Sequence, residues 1–191
     1  MRPDPSEKLA LEGGPKAKRT PFPPRKRNGD PEKRLLEEVV ESDVLFSWFG
    51  TKLREFERRF AAFYGRKHCV ACSSGTAAVH TALGVLELPP GSEVITTAIT
   101  DMGGLTGLFY QGLVPVFADV EAETLNLDPS LVRERITPRT RAIIATHHAG
   151  LAADMDALLE IGRQAGIPVI EDCAQAYGCR YKERLTGTIR P

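Results

Sequence analysis

Two short stretches hold residue types and spacings that can do chemistry. Ser73-Ser74-Gly75-Thr76 stands directly before a run of small residues that opens a helix. A helix beginning there presents free N–H groups and the positive end of its dipole, which together make an anion site. Gly75 lets the backbone approach a ligand closely, and Ser74 and Thr76 add hydroxyl groups. The plainer role is N-capping by Ser74 alone. Neither GxxxxGK[ST] nor GxGxxG is present, which lowers nucleotide binding and leaves the phosphate of a smaller carrier.

The second stretch is Ile167-Pro168-Val169-Ile170, an apolar run that delivers Glu171 and Asp172, with Gln175 three residues on. A carboxylate at the end of a buried strand costs free energy unless it is paired. It caps the next turn, meets an Arg, or faces a buried cation. Pyridoxal phosphate meets the demands of both stretches. Its phosphate suits the helix start, and its ring nitrogen must be kept protonated. A carboxylate facing that nitrogen holds the proton and makes the ring an electron sink. Asp172 is the candidate for this role, and Gln175 for a hydrogen bond to the ring's phenolic oxygen or to substrate.

Other reactive residues fit less well. Cys69-x-x-Cys72 beside His68 suggests zinc or a redox pair, but side chains alternate along a strand, so the offset splits the thiols between faces. Cys173 and Cys179 are six apart and form no matching second pair, so no metal is expected. Of His147 and His148, adjacent on a strand, at most one lines the ligand edge. Lys182, in a polar hairpin turn, is not placed to be a desolvated, activated amine.

These groups need a scaffold. Leu35, Leu36, Val39 and Val40 form one helical stripe, and Leu53, Phe56, Phe60 and Phe63 another, capped by Gly65 and read as core packing. From "HCVAC" onward, short apolar runs alternate with helical segments: "SSGTAAVHTALGVL", "SEVITTAI", "GGLTGLFYQG", "VPVFADV", "DPSLVRERI", "TRAIIATHH", "DMDALLEIGRQAG" and "IPVIED". Such alternation implies an α/β fold with a mostly parallel sheet and helices on both faces. Ligands of such sheets bind beyond the carboxyl ends of the strands. The strands end at Ser73–Thr76, Thr100–Met102, Asp119, His147–His148 and Glu171–Gln175, which should converge along one edge.

Composition sets outer bounds. The 191 residues carry 25 Lys/Arg against 25 Asp/Glu, and this neutrality argues against nucleic acid as a partner. The balance is uneven: residues 1–34 hold ten Lys/Arg, five Asp/Glu and seven of the 14 prolines. This reads as an extended, solvated arm, leaving residues 35–191 as the folded domain. There is no apolar signal region and no run near the roughly 20 apolar residues that span a bilayer. The expectation is a cytoplasmic protein with no membrane partner and four reduced cysteines.

With the motifs in place, "SSGTAAVHTAL", "GSEVITTAIT", "VPVFADVEAETLNLDPSLVRERITPRTRAIIATHHAG", "ADMDAL" and "IPVIEDCAQAYGCRYKERLTGT" together resemble the DegT/DnrJ/StrS-type sugar aminotransferases. The resemblance runs from about Leu9 to Thr188. It implies the large domain of a fold type I, pyridoxal-phosphate-dependent enzyme that works as a homodimer. It implies amino transfer, usually from glutamate, to a keto group of a nucleotide-linked sugar or related cyclic substrate. Gly75 and Thr76, with Ser74 beside them, match the phosphate-binding pair. Asp172 matches the aspartate facing the pyridine nitrogen, and Gln175 the glutamine of "EDxAQ".

Two departures follow. Asp101 occupies a position where the family often stacks an aromatic residue on the cofactor ring. The family's Schiff-base lysine follows a "GTxGD" turn, whereas this chain reads "GTIRP". The expectation is an N-terminal portion, lacking the C-terminal domain and the lysine, with no catalytic residue of its own and no transamination alone. The alternatives are a non-catalytic fragment acting by association, and a sugar dehydratase of the same fold.

Overall fold

The computed structural model describes residues 8–189. The ends of the basic arm and of "GTIRP" lie outside them. The chain forms two compact units that divide between Gly50 and Thr51.

In the first unit a short 3-10 turn, Ala10–Glu12, precedes helix α1, Asp30–Glu41. Pro31 supplies the preset φ of a first turn, and the Glu32 carboxylate accepts the Gly29 N–H at 2.6 Å. No residue of α1 is buried within the structure.

The second unit begins with α2, Lys52–Phe63, followed by α3, Gly75–Gly84. Then come β1, Glu93–Thr96; α4, Gly103–Tyr110; β2, Val114–Phe117; α5, Pro129–Glu134; and β3, Thr140–Thr146. The unit closes with α6, Met155–Ala165, β4, Val169–Asp172, and a hairpin of β5, Arg180–Tyr181, and β6, Arg184–Leu185. The main sheet is wholly parallel in the order β2-β1-β3-β4. Both of its faces are covered. Ile95, Ile143 and Ala145 pack with Val132 of α5 and Met155, Leu158 and Ile161 of α6. Val94, Ala142 and Ile144 pack with Leu83 of α3 and Leu105 and Leu108 of α4. Burial on both sides is why these strands read as unbroken apolar runs rather than alternating ones.

Side-chain parity then sorts the ends of the strands. Val169 joins the α5/α6 face and Ile170 the α3/α4 face, so Glu171 points to the former side and Asp172 to the latter. The two adjacent acids therefore serve different surroundings.

Two sequence expectations fail here. Residues 68–72, read as a strand, form none: Val70 is exposed, and the Ala71 N–H goes to the Glu57 carboxylate at 2.9 Å rather than to a ladder. Without a strand partner its backbone groups turn to a side chain. The aromatic stripe of α2 is not core either. Phe56 is 51% and Phe63 65% exposed, and Ala61 is the one buried residue of that helix. Helical periodicity identifies a face to be covered but not whether something covers it.

Two predictions arise from the packing. The α3/α4 contact depends on Gly107, where an added Cβ would lie 2.8 Å from the His80 Cα. Gly107→Ala is expected to destabilise the second unit by about 1–3 kcal/mol. Unfolding in urea would show it, and an unchanged midpoint would mean the helices separate freely. Glu93, buried at the start of β1, accepts from Thr137 Oγ1 at 2.5 Å and from the Arg139 guanidinium. The Thr137 hydrogen bond first, then Arg139, holds the Glu93 carboxyl below its ordinary value. A depressed folded value gives stability that is present above the unfolded pKa, about 4.3, and is lost as pH falls through the folded value. Glu93→Gln should therefore destabilise at pH 7 and shrink the loss seen between pH 5 and 3. An equally steep acid loss in the variant would reject this assignment.

Candidate active site

Helix α3 starts where Ser73-Ser74-Gly75-Thr76 predicts. The Ser74 side chain accepts the Ala77 N–H at 3.1 Å, and the Ser74 carbonyl accepts the Ala78 N–H at 3.0 Å. Ser74 is thus an N-cap, the plainer of its two roles. The N–H groups of Gly75 and Thr76 take no partner among the described residues, and neither does the Thr76 hydroxyl. A Cβ added at Gly75 would meet nothing within 4 Å. Two free amides and a hydroxyl without a partner thus stand at the positive end of a ten-residue helix, with open space beside Gly75, the arrangement an anion requires.

Asp172 ends β4 on this same α3/α4 side. Its Oδ1 accepts the Ala174 N–H at 3.1 Å. Its Oδ2 has no partner among the described residues, and the group is half-buried. Helix α4 closes the gap to α3 through consecutive glycines. A Cβ on Gly104 would sit 3.6 Å from Asp172 Oδ2, and one on Gly103 would sit 2.5 Å from Thr76 Oγ1. The two glycines therefore let the start of α4 run between the phosphate candidates and the carboxylate. Sequence reasoning did not single them out, although adjacent glycines opening a helix beyond a strand are a signal for close backbone approach.

Gln175 is exposed, and its Oε1 accepts the Ala149 N–H at 2.9 Å. That bond fixes which end of the amide is the acceptor, so Nε2 remains a free donor. The accepted N–H belongs to a residue held at φ 49°, inside the turn His148–Gly150 that follows β3.

The remaining candidates separate from this cluster. His147 is fully buried on the α5/α6 side. Its Nδ1 accepts the Ala153 N–H at 3.1 Å, so the proton sits on Nε2 and is donated to Glu171 Oε2 at 3.1 Å. Glu171 also accepts the N–H groups of Gly187 at 2.7 Å and Ile189 at 2.9 Å. Cys173 joins His147 and Glu171 within 4.8 Å, but this is poor metal chemistry. The imidazole has no lone pair left, and burial, then the Glu171 charge, pushes the Cys173 thiol up to about 12. Asp119 bonds its neighbour's N–H, on Val120, at 2.8 Å, and β2 lies two strands from β3. Lys182 occupies the expected hairpin turn, where its ammonium meets Asp156 at 2.6 Å. That hydrogen bond raises Lys182 above the ordinary lysine range, the opposite of an activated amine.

The residues present fit pyridoxal phosphate. The free α3 amides suit its phosphate, the unpartnered Asp172 oxygen suits its pyridinium N–H, and Gln175 Nε2 suits its phenolic oxygen.

The comparisons with known proteins agree with this chemistry. Residues 27–190 match the model of the DegT/DnrJ/EryC1/StrS aminotransferase family. The spore coat polysaccharide biosynthesis protein SpsC of Bacillus subtilis is 41% identical over 161 residues, 84% of this chain and 41% of that protein. The crystal structure of 3-amino-5-hydroxybenzoic acid synthase superposes with a TM-score of 0.84 at 39% identity, covering 87% of this chain and 44% of that one. A structure of GDP-4-keto-6-deoxymannose-3-dehydratase with a trapped PLP–glutamate geminal diamine gives 0.80 at 25% identity, over 85% and 43% of the two chains. The chain spans less than half the length of the curated relatives it matches.

Proposed function

The chain belongs to the DegT/DnrJ/EryC1/StrS aminotransferase family, whose members depend on pyridoxal phosphate, and from that premise we propose that residues 51–189 carry the cofactor-binding part of a sugar aminotransferase. The acceptor is a keto group of a nucleotide-linked sugar or related cyclic substrate, and the donor is an amino acid such as glutamate. The working assembly is a cytoplasmic homodimer. The observation that carries this reading is the convergence, across Gly103 and Gly104, of the free α3 amides with the unpartnered oxygen of Asp172.

Bound there, pyridoxal phosphate supplies an electron sink for moving an amino group between carbons. The chain's own residues act around it. The Gly75 and Thr76 N–H groups and the Thr76 hydroxyl hold the phosphate. Asp172 Oδ2 keeps the proton on the ring nitrogen. Gln175 Nε2 donates to the phenolic oxygen, while the Ala149 N–H stops the amide from turning. The reading further holds that neither Lys67 nor Lys182 binds the cofactor covalently. Lys182 is engaged by Asp156, and Lys67 lines a cavity of about 450 Å³ beside Glu171, on the α5/α6 side.

The test is equilibrium titration of the 191-residue chain with pyridoxal phosphate, followed by borohydride reduction. One saturable site, displaced by inorganic phosphate and leaving no stoichiometric lysine adduct, is expected. Absence of saturable binding would overturn the cofactor site. Stoichiometric trapping on Lys182 would overturn the account of the lysine. The dehydratase neighbour supports one alternative, a sugar dehydratase, which is distinguished by a product that has lost oxygen and gained no nitrogen.

A further inference from the structure

The start of α4 brings a second carboxylate to this site. Asp101 is exposed, and its Oδ1 accepts the Gly103 N–H at 2.7 Å. The point a Gly103 Cβ would occupy lies 2.9 Å from this oxygen and 2.5 Å from Thr76 Oγ1, so carboxylate and hydroxyl meet across that glycine. One residue on, Gly104 faces Asp172 Oδ2. Asp101 and Asp172 thus flank the two-glycine step. Each spends one oxygen on an N–H of its own loop and leaves the other without a partner among the described residues. Among the described residues no Lys, Arg or His forms an ion pair with either. A cationic group on a ligand lying between α3 and α4 would therefore meet two carboxylates that no side chain compensates, and a pyridinium answers only one of them.

We propose that Asp101 is a specificity residue that makes the site favour the aminated cofactor, pyridoxamine phosphate, over forms uncharged at the same carbon. The inference rests on the reading that this site holds the cofactor. The aminomethyl group is an ammonium at neutral pH, whereas an aldehyde or methyl group brings no charge. Repulsion between Asp101 and the phosphate acts equally on all forms, so the ratio of affinities isolates the effect. One unit charge near an accessible carboxylate is worth about tenfold in that ratio.

The probes are pyridoxamine phosphate and 4'-deoxypyridoxine phosphate, which has a methyl in place of the aminomethyl group and cannot react with lysine. Both are titrated calorimetrically into the full chain, its Asp101→Asn variant and its Asp172→Asn variant. Asparagine at 101 retains the oxygen that accepts the Gly103 N–H, so it removes charge without uncapping α4. The parent chain should bind pyridoxamine phosphate about tenfold more tightly, Asp101→Asn should bring the ratio within about twofold, and Asp172→Asn should weaken both ligands alike. Salt gives a reading that needs no variant: raising it from about 0.02 to 0.5 M should shrink the parent's ratio several-fold. A ratio near one in the parent, or one unmoved by both Asp101→Asn and salt, overturns the proposal and leaves the cofactor site standing. Failure of the parent to bind either probe overturns both.

Discussion

Asp172→Asn should weaken binding of pyridoxamine phosphate to the chain by roughly 10- to 150-fold, the 1.5–3 kcal/mol of a hydrogen bond between charged partners. The substitution is narrow. Asn keeps an Oδ1 to accept the Ala174 N–H, so the loop after β4 retains its cap. Only the free oxygen changes, and it becomes an NH₂ group that donates where the ring nitrogen also donates. The ring must then give up its proton to bind, so the bound cofactor's spectrum should shift to that of an unprotonated pyridine. Affinity and spectrum together separate this role from a structural one, because a carboxylate that merely capped the turn would move neither. Unchanged affinity with an unchanged spectrum would remove Asp172 from the site.

Much of this was legible because local rules and the global fold agree. Strands buried on both faces show as apolar runs, and the helices between them carry their own punctuation, such as Asp128 and Pro129 opening α5 and Gly166 closing α6. The start of α3 was legible because a cap, a glycine and a hydroxyl fall in consecutive positions. Asp172 was legible as an acid with no reason to be where it is. Three features were not. The close approach of α4 to Thr76 and Asp172 belongs to tertiary packing, and the doubled glycine at 103–104 was its only trace. The exposure of Phe56 and Phe63 reflects what lies against α2, which helical spacing does not encode. The side-chain partner of Glu171 is 24 residues away, just beyond the end of another strand. Parity would have assigned Glu171 to the opposite face from Asp172, but it could not have named His147.

That pairing gives the second large effect, on stability rather than binding. Glu171 accepts three donors: His147 Nε2–H, Gly187 N–H and Ile189 N–H. Its side chain is 10% exposed and His147 is fully buried, so water reaches this network only from the Gly187 side and cannot replace the bond to His147. The acid ties the end of β3, the start of α6 through Ala153, and the 187–189 turn into one network. Glu171→Gln keeps the size and supplies one oxygen, but it turns an NH₂ group toward donors that need acceptors. Leaving buried donors unsatisfied costs roughly 1–3 kcal/mol each, so the variant should lose about 2–4 kcal/mol. For a unit of this size that lowers Tm by roughly 5–15 °C. The β4 strand is shared, yet the two predictions separate. Glu171→Gln should lower Tm while leaving cofactor affinity at low temperature within about twofold, since Asp172 faces the other side of the sheet. Asp172→Asn should do the reverse. If Glu171→Gln instead melts with the parent, the hydrogen-bond network contributes nothing net. If it abolishes cofactor binding in a chain that is still folded, the two faces of β4 are not independent, and the division of labour between the adjacent acids is wrong.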